Sequence, residues 1–402
     1  MRVAEYFAGI GLARLGLEAA GFSVVWSNDL SPKKQLMYMA RFGEASHFYL
    51  GDVTELSGST DPQAVDVAWA SFPCTDLSIA GARGGLNAGA SAAFWGFISS
   101  LQRLGSARPE VVALENVLGL ATSHRGSDLV AAIKALNDLG YSVDILRIDA
   151  SRFVPQSRVR LFLVGDRNVV VPKERPDWSA TSEGAERHEF RPEALDWVFE
   201  HPDLRTHRYP LVTAPAIAHS GLDSVVESIP IDDTAWWGTD RVASFFSSLT
   251  PVQAARVNSL RSQDKQTHRT AYRRMRAGVA RWEVRGDDLA GCLRTARGGS
   301  SRQAIVRLGG GALDVRWMTP SEYAALMGAY GFATERMSAS DAQWGFGDAV
   351  CVPVVEWLAR HAILPRLRGL AHHHRGPSEA AAPTEPVPEA ATWVPLALRH
   401  VG

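Results

Sequence analysis

The sequence predicts an α/β fold, a doubly wound and mostly parallel sheet, with a smaller irregular domain beside it. Two observations carry that prediction. Over 1–165, short apolar runs alternate with patterns of helical period, the signature of strand–helix–strand units. After Val171 that rhythm stops, and 172–250 is rich in Pro, Ser, Thr and Trp. A third observation bears on function. The glycines and acidic residues that stand out sit where apolar runs end, and open parallel sheets bind ligands at the carboxyl ends of their strands.

Taken in order, Val3–Phe7, Val24–Ser27, Val65–Ala70, Val111–Leu114, Val143–Ile148 and Leu161–Val164 read as strands. Between them Leu12–Ala20, Pro32–Phe42, Phe94–Leu104 and Asp128–Leu139 read as helices. A first domain of 1–171 and a separate module of 172–290 follow from this. Regular patterning returns at Val315–Leu326 and Ala349–Ile363, so 291–368 reads as a C-terminal part that rejoins the first domain. The tail 369–402 is rich in Ala, Pro and Glu and is expected to be disordered.

The 402 residues are 46% hydrophobic, ample for a sizeable core. Net charge is −1, so no global basic field announces a polyanionic partner. Locally the balance differs: 256–307 holds thirteen Lys and Arg against four Asp and Glu. Cys74, Cys292 and Cys351 are far apart, which argues against a disulfide framework or zinc site and fits a reducing cytosol. His372–His374 reads as solvated tail rather than chelator, and no metal is expected. No signal peptide is read at MRVAEYFAG, and no apolar run approaches the roughly 18 residues needed to span a bilayer.

The chemistry-bearing residues fall in blocks. Phe7–Gly11, FAGIG, follows the first strand and opens a helix; glycines there let a ligand approach backbone amides that suit a carboxylate. Asp29 ends the second strand, where a carboxylate can accept both hydroxyls of a ribose. Asp52 follows the next short strand and suits an adenine amino group. The alternative for both acids is a helix cap or a turn. Cys74 follows Pro73 in the SFPCTDLS loop, presented like a nucleophile; the alternative is a packed core cysteine. Glu115, flanked by apolar Leu114 and Val117, suits a proton donor, or else a structural salt bridge. Arg158 and Arg160 share one face of the strand that begins near Gln156, or are ordinary surface arginines.

In this order the blocks resemble the cytosine carbon-5 DNA methyltransferase family, of bacterial type. FAGIG resembles its cofactor loop, Pro73-Cys74 its nucleophile loop, Glu115–Val117 its ENV motif, and Gln156–Arg160 its QxRxR motif. Arg316–Glu322 and Gly347–Val350 resemble its last two blocks. Two departures stand out: Phe72 and Thr75 flank Pro73-Cys74 where the family has Pro and Gln, and Asp348 stands where it has Asn.

The resemblance implies a Rossmann-like methyltransferase fold with 172–290 as target-recognition domain. It implies S-adenosylmethionine bound by Phe7, Gly9, Gly11, Asp29, Asp52, Pro73, Asp348 and Val350. Catalysis falls to Cys74, Glu115, Arg158 and Arg160, by covalent attack of Cys74 on carbon 6 of a flipped cytosine. Double-stranded DNA is the implied partner, met by Ser78, Gln156, Thr295 and Arg297, with the arginines of 269–307 on phosphates. A cytoplasmic, nucleoid-associated enzyme, with restriction or defence proteins as partners, completes the expectation. Three rival readings are the same chemistry on structured RNA, an inactive DNA-binding relative, and an amino-group methyltransferase.

Overall fold

Strand β1 (Arg2–Tyr6) buries every residue after Arg2, as a central strand covered on both faces must. A computed structural model describes residues 1–43, 46–73, 93–169, 188–276, 278–295, 302–335 and 337–373. After β1 the chain runs through α1 (Leu12–Ala19), β2 (Ser23–Asp29), α2 (Pro32–Phe42), β3 (Phe48–Leu50), β4 (Val67–Ala70), α3 (Ala93–Arg103) and β5 (Val111–Val117). Then come α4 (Gly119–Thr122), α5 (Ser127–Asp138), β6 (Ser142–Asp149) and β7 (Val159–Asp166). The strands form one sheet in the order β3-β2-β1-β4-β5-β7-β6. Strands β1 to β5 pair in parallel, and β7 runs antiparallel to β5.

Local sequence explains these elements. Pro32 at the first turn and the Ser31 hydroxyl, which accepts from Lys34 N–H, start α2. Phe94, Phe97 and Leu101 of α3 recur at helical spacing and are fully buried; Phe97 packs edge-on to Tyr6 at 4.9 Å. The expected α1, α2, α3 and α5 all appear within about a residue or two of their sequence limits. One limit moves: β7 starts at Val159, so Gln156 and Arg158 precede it. Gln156 bridges instead to Ala290, and Arg158 N–H donates to the Asp149 carboxylate at 2.9 Å.

The chain divides into two compact units. The first comprises 1–148, 159–215 and the described part of 354–394. It holds the seven-stranded sheet, α6 (Asp196–Glu200) and most of the C-terminal helices described below. The segment 188–215, read in sequence as part of one irregular module, belongs to this unit: Val143 pairs with Thr206, and Arg191 forks onto buried Asp144 at 3.0 and 2.7 Å.

The second unit comprises 149–158 and 216–353 in its described residues. It contains α7 (Thr239–Ser247), α8 (Pro251–Arg261), β8 (Thr267–Arg276), β9 (Val279–Val284), β10 (Ala304–Gly309) and β11 (Ala312–Trp317), followed by α9 (Pro320–Leu326) and α10 (Ala339–Asp348). The four strands form an antiparallel sheet in the order β11-β10-β8-β9. Its core gathers Phe245, Val257, Trp282, Val306, Leu308 and Val315. The charged span that begins at Thr270 is not helical but lies largely in β8. After α10 come α11 (Val352–Leu358) and α12 (Leu364–His373). No helix of the described residues is long and apolar enough to cross a membrane.

Candidate active site

The functional end of the first unit's sheet is built by four turns. After β1, Phe7, Gly9 and Gly11 all take positive φ, at 57°, 59° and 85°, and the chain turns sharply into α1. Gly11 is the N-cap of α1 and offers no side chain to cap it. A Cβ there would overlap the Phe42 ring and crowd Tyr38, so only glycine fits. The loop is fastened to the end of β2: Ala8 N–H donates to Asn28 O, and Gly9 N–H to Asp29 Oδ2, both at 2.8 Å. The other Asp29 oxygen accepts Ser31 N–H at 2.9 Å. Asn28 donates to Tyr49 O and Gly51 O, tying β2 to the turn after β3. Asp52 there accepts from both Thr54 N–H and Thr54 Oγ1.

These donors fit a nucleoside with an amino-acid tail. The first amides of α1 have no side-chain acceptor from the cap, Gly9 has open space above it, and two carboxylates stand at adjacent strand ends. The sequence alternatives also hold in part, since Asp29 and Asp52 both serve local turns.

The third turn follows β4. Phe72 is buried against Phe94, with ring centroids 5.2 Å apart, and its carbonyl accepts from Asn116 Nδ2 at 3.1 Å. The ENV asparagine thus fixes the chain one residue before Pro73. Cys74 and Ser78 lie outside the described residues, as does Arg297.

The fourth feature closes β5. Glu115 and Arg160 form an ion pair, Nε to Oε1 2.9 Å, with side chains 8% and 16% exposed. Val117 lies opposite Arg160 in the ladder, so the pair sits at the carboxyl end of β5.

The remaining predicted residues belong to the second unit. Arg158 is buried, and its guanidinium donates to the carbonyls of Leu293, Gly347 and Ala349. Gln156 is fully buried; its amide takes Leu293 N–H at 3.1 Å and donates to Leu326 O at 2.7 Å. Asp348 is exposed at the end of α10, Val350 is buried, and Thr295 lies beside Gly347, where a Cβ would clash with its amide. The run Gln156–Arg160 is therefore divided: Gln156 and Arg158 tie the second unit's backbone together, and Arg160 serves Glu115.

Sequence reading missed one group. Glu5, on β1 beneath the glycine loop, is fully buried and accepts Arg14 N–H at 3.1 Å. A charged residue inside an otherwise apolar central strand was the available signal.

A glycine loop after the first strand, acidic residues ending the next two, and a reversed strand beside β5 define the Rossmann-like fold of methyltransferases. A family model, C-5 cytosine-specific DNA methylase, matches residues 1–363, and the chain belongs to that family. Type II methyltransferase M.Bsp6I of Bacillus sp. (strain RFL6) is 31% identical over 172 residues, 42% of this chain and 53% of that protein. M.HhaI of Haemophilus parahaemolyticus is 31% identical over 169 residues, 42% of this chain and 50% of that protein. The chain thus spans about half the length of the curated relatives it matches. Among solved structures, S. pombe Dnmt2 methyltransferase aligns with TM-score 0.53 at 18% identity, covering 91% of this chain and 99% of that one. The Entamoeba histolytica methyltransferase EhMeth aligns with TM-score 0.57 at 13% identity, covering 92% and 98%. At such identities these two speak for the fold alone.

Proposed function

We propose that the protein is a DNA (cytosine-5-)-methyltransferase, methylating carbon 5 of cytosine in double-stranded DNA. The observation that carries this reading is the Glu115–Arg160 pair, which joins two separate sequence motifs at the ligand end of the sheet. S-adenosylmethionine, when bound, supplies a methyl group on a sulfonium. Gly9, Gly11, Asp29 and Asp52 would hold it, with Phe7, Pro73, Asp348 and Val350 as further contacts.

Cytosine carbon 5 is a poor nucleophile because the ring is aromatic. Attack of the Cys74 thiolate on carbon 6 forms a carbon–sulfur bond, breaks that aromaticity and makes carbon 5 enamine-like. Charge develops on the ring as this happens. Glu115 holds a proton at ring nitrogen 3 and neutralises it, while Arg160 fixes the carboxyl in place. Once carbon 5 has taken up the methyl group, loss of its proton and elimination of the Cys74 thiolate from carbon 6 restore the ring. Asn116, through the Phe72 carbonyl, sets the start of the nucleophile loop. Arg158, from its hydrogen bonds, holds the backbone on either side of Asp348.

The base must leave the stack, at a cost of a few kcal/mol. Segment 172–290 is the proposed target-recognition region, and Ser78, Thr295 and Arg297 the proposed DNA contacts; Gln156, expected from the sequence to join them, is fully buried and orders the backbone at Leu293 and Leu326 instead. The Type II names of the relatives support a restriction–modification or defence setting with its partner proteins, in the cytoplasm at the nucleoid. Bisulfite sequencing of DNA from cells expressing the chain tests the reading, with Cys74→Ser as control and purified tRNA assayed in parallel. Protected cytosines in one sequence context, absent in the control, are expected. Methylation of tRNA alone would overturn the DNA assignment.

A further inference from the structure

Helix α1 lacks the cap that its position demands. The N-terminal amides of a helix need acceptors, and a Ser, Thr, Asp or Asn cap usually supplies one. Here the cap is Gly11, because Phe42 and Tyr38 leave no room for a side chain. The acceptor comes from a neighbouring strand instead. Glu5 Oε1 on β1 accepts the N–H of Arg14, the third residue of α1. The first two amides of α1, those of Leu12 and Ala13, receive nothing from it.

Glu5 is also the inner end of a polar chain. Its Oε2 lies 3.4 Å from Ser27 Oγ on β2, and Ser27 Oγ lies 3.0 Å from Tyr38 Oη on α2. Tyr38 Oη is 3.3 Å from His47 Nε2, and Arg14 Nη1 reaches both, at 2.9 and 3.1 Å. Arg14 Nε continues to Glu18 at 2.7 Å. Burial and the Arg14 charge hold the His47 imidazole below its ordinary range. Ser27 Oγ donates to Glu5 Oε2, and Arg14 Nη1 donates to Tyr38 Oη and reaches His47 Nε2. Glu5 itself is wholly withdrawn from water, and that burial disfavours its charged form.

We infer that Glu5 is a positioning residue for the cofactor loop: it caps α1 from below in its neutral form and leaves the first amides of that helix unopposed for a ligand carboxylate. The inference rests on the proposed binding of S-adenosylmethionine at this loop. Burial pushes the Glu5 carboxyl up to about 8, against the weaker opposing pull of the Arg14 amide and guanidinium. The charged and titratable groups facing it are Arg14 and Glu18 from α1, Tyr38 from α2, and His47 before β3. Below that value Glu5 is a neutral acceptor. Above it, a buried negative charge occupies the positive end of α1 and repels a second carboxylate there.

Calorimetry of S-adenosylhomocysteine binding between pH 7 and 9 tests this. The wild type should lose about tenfold more affinity over that range than Glu5→Gln, which keeps an acceptor but has no proton to lose. Titration of the ligand's own amine is common to both proteins and cancels in the comparison. Glu5→Leu, which leaves the Arg14 amide without an acceptor, should bind weakly at every pH, with Glu5→Gln restoring affinity. Ser27→Ala removes a hydrogen bond that favours the ionised form, so it should move the midpoint of the decline to higher pH. That variant reads the same titration should Glu5→Gln fail to fold. Equal slopes in wild type and Glu5→Gln, or an unmoved midpoint in Ser27→Ala, would overturn this inference alone. No binding by the wild type at any pH would overturn the cofactor reading and this inference with it.

Discussion

Glu115 and Arg160 pair diagonally across the antiparallel strands β5 and β7, 2.9 Å apart and mostly shielded from water. Breaking such a pair strands a buried charge, at a cost of about 3–5 kcal/mol. Arg160→Met should therefore lower stability by about 3 kcal/mol, and Arg160→Met with Glu115→Met together should cost less than the sum. A double-mutant cycle by urea denaturation reads the coupling, and strict additivity would contradict the pair. Glu115→Gln keeps the shape and removes the acid; methyl transfer should fall by about 10²–10⁴ with cofactor affinity unchanged.

Asp29 has two tasks at once. One oxygen holds the Gly9 amide and the other holds Ser31, so its removal both loosens the glycine loop and takes away the proposed ribose acceptor. Asp29→Ala should weaken S-adenosylmethionine binding by about 1.5–3 kcal/mol, the worth of charge-assisted hydrogen bonds. Unchanged affinity by calorimetry would remove Asp29 from the site.

The arginines of 269–307 are not equivalent. Arg307 pairs with Asp314 at 2.8 Å, Arg285 with Asp287 at 2.6 Å, and Arg302 stacks over Trp317 at 4.3 Å. Arg273 is exposed on β8, with no ion pair among the described residues. Only an uncommitted arginine releases a counterion cleanly on meeting a phosphate. Arg273→Ala should flatten the salt slope of DNA binding by about 1, whatever the sequence, and Arg307→Ala by much less. Equal changes in the two variants would show that the ion pairs do not govern phosphate contact.

His207 gives the first unit a pH-dependent stability. Its Nδ1 lies 2.9 Å from Ser142 Oγ, while its buried Nε2 has no hydrogen-bond partner among the described residues. Burial lowers its pKa from 6.5 to about 4, with the charges of Arg191 and Arg366 pushing the same way against Asp144. A depressed histidine favours the neutral folded form, so unfolding takes up a proton. Stability is full above 6.5 and declines as pH falls from 6.5 to about 4. The loss is up to about 3 kcal/mol, reduced by the part of the ring that meets solvent. His207→Gln should flatten the melting temperature across that window, and a decline as steep as the wild type's would place the titration elsewhere.

The sheet and its ligand end were legible because the signals there are local. Apolar runs, Pro32 after Ser31, and the glycines of Phe7–Gly11 each specify their own backbone. What was hidden depends on residues distant in sequence. Gln156 and Arg158 stand four and two residues from Arg160, yet their side chains meet carbonyls at Leu293, Leu326 and Gly347. No spacing rule announces such partners. The irregular stretch after Val171 had weak periodicity, so nothing in it showed that 188–215 would pack with the first unit through Arg191 and Asp144. Likewise the charge density at 270–280 fitted a helix as well as the strand β8, because arginine tolerates both.

The proposed role of Cys74 as nucleophile rests on chemistry that can be trapped. Cys74 follows Pro73, and the chain just before that residue is pinned by Asn116 through the Phe72 carbonyl, next in sequence to Glu115 on β5. A core cysteine would tolerate serine at modest cost to stability and none to activity. A nucleophile would not, since a hydroxyl is far less readily ionised than a thiol. Cys74→Ser should therefore bind cofactor and DNA while losing nearly all methyl transfer. Duplex carrying 5-fluorocytosine at the target separates the two cases further. Fluorine cannot leave carbon 5 as a proton does, so the carbon–sulfur bond to Cys74 should persist as an adduct that survives denaturation. Glu115→Gln should slow its formation, because ring nitrogen 3 loses its proton donor. An enzyme active on ordinary duplex that forms no such adduct would show that methyl transfer proceeds without covalent attack.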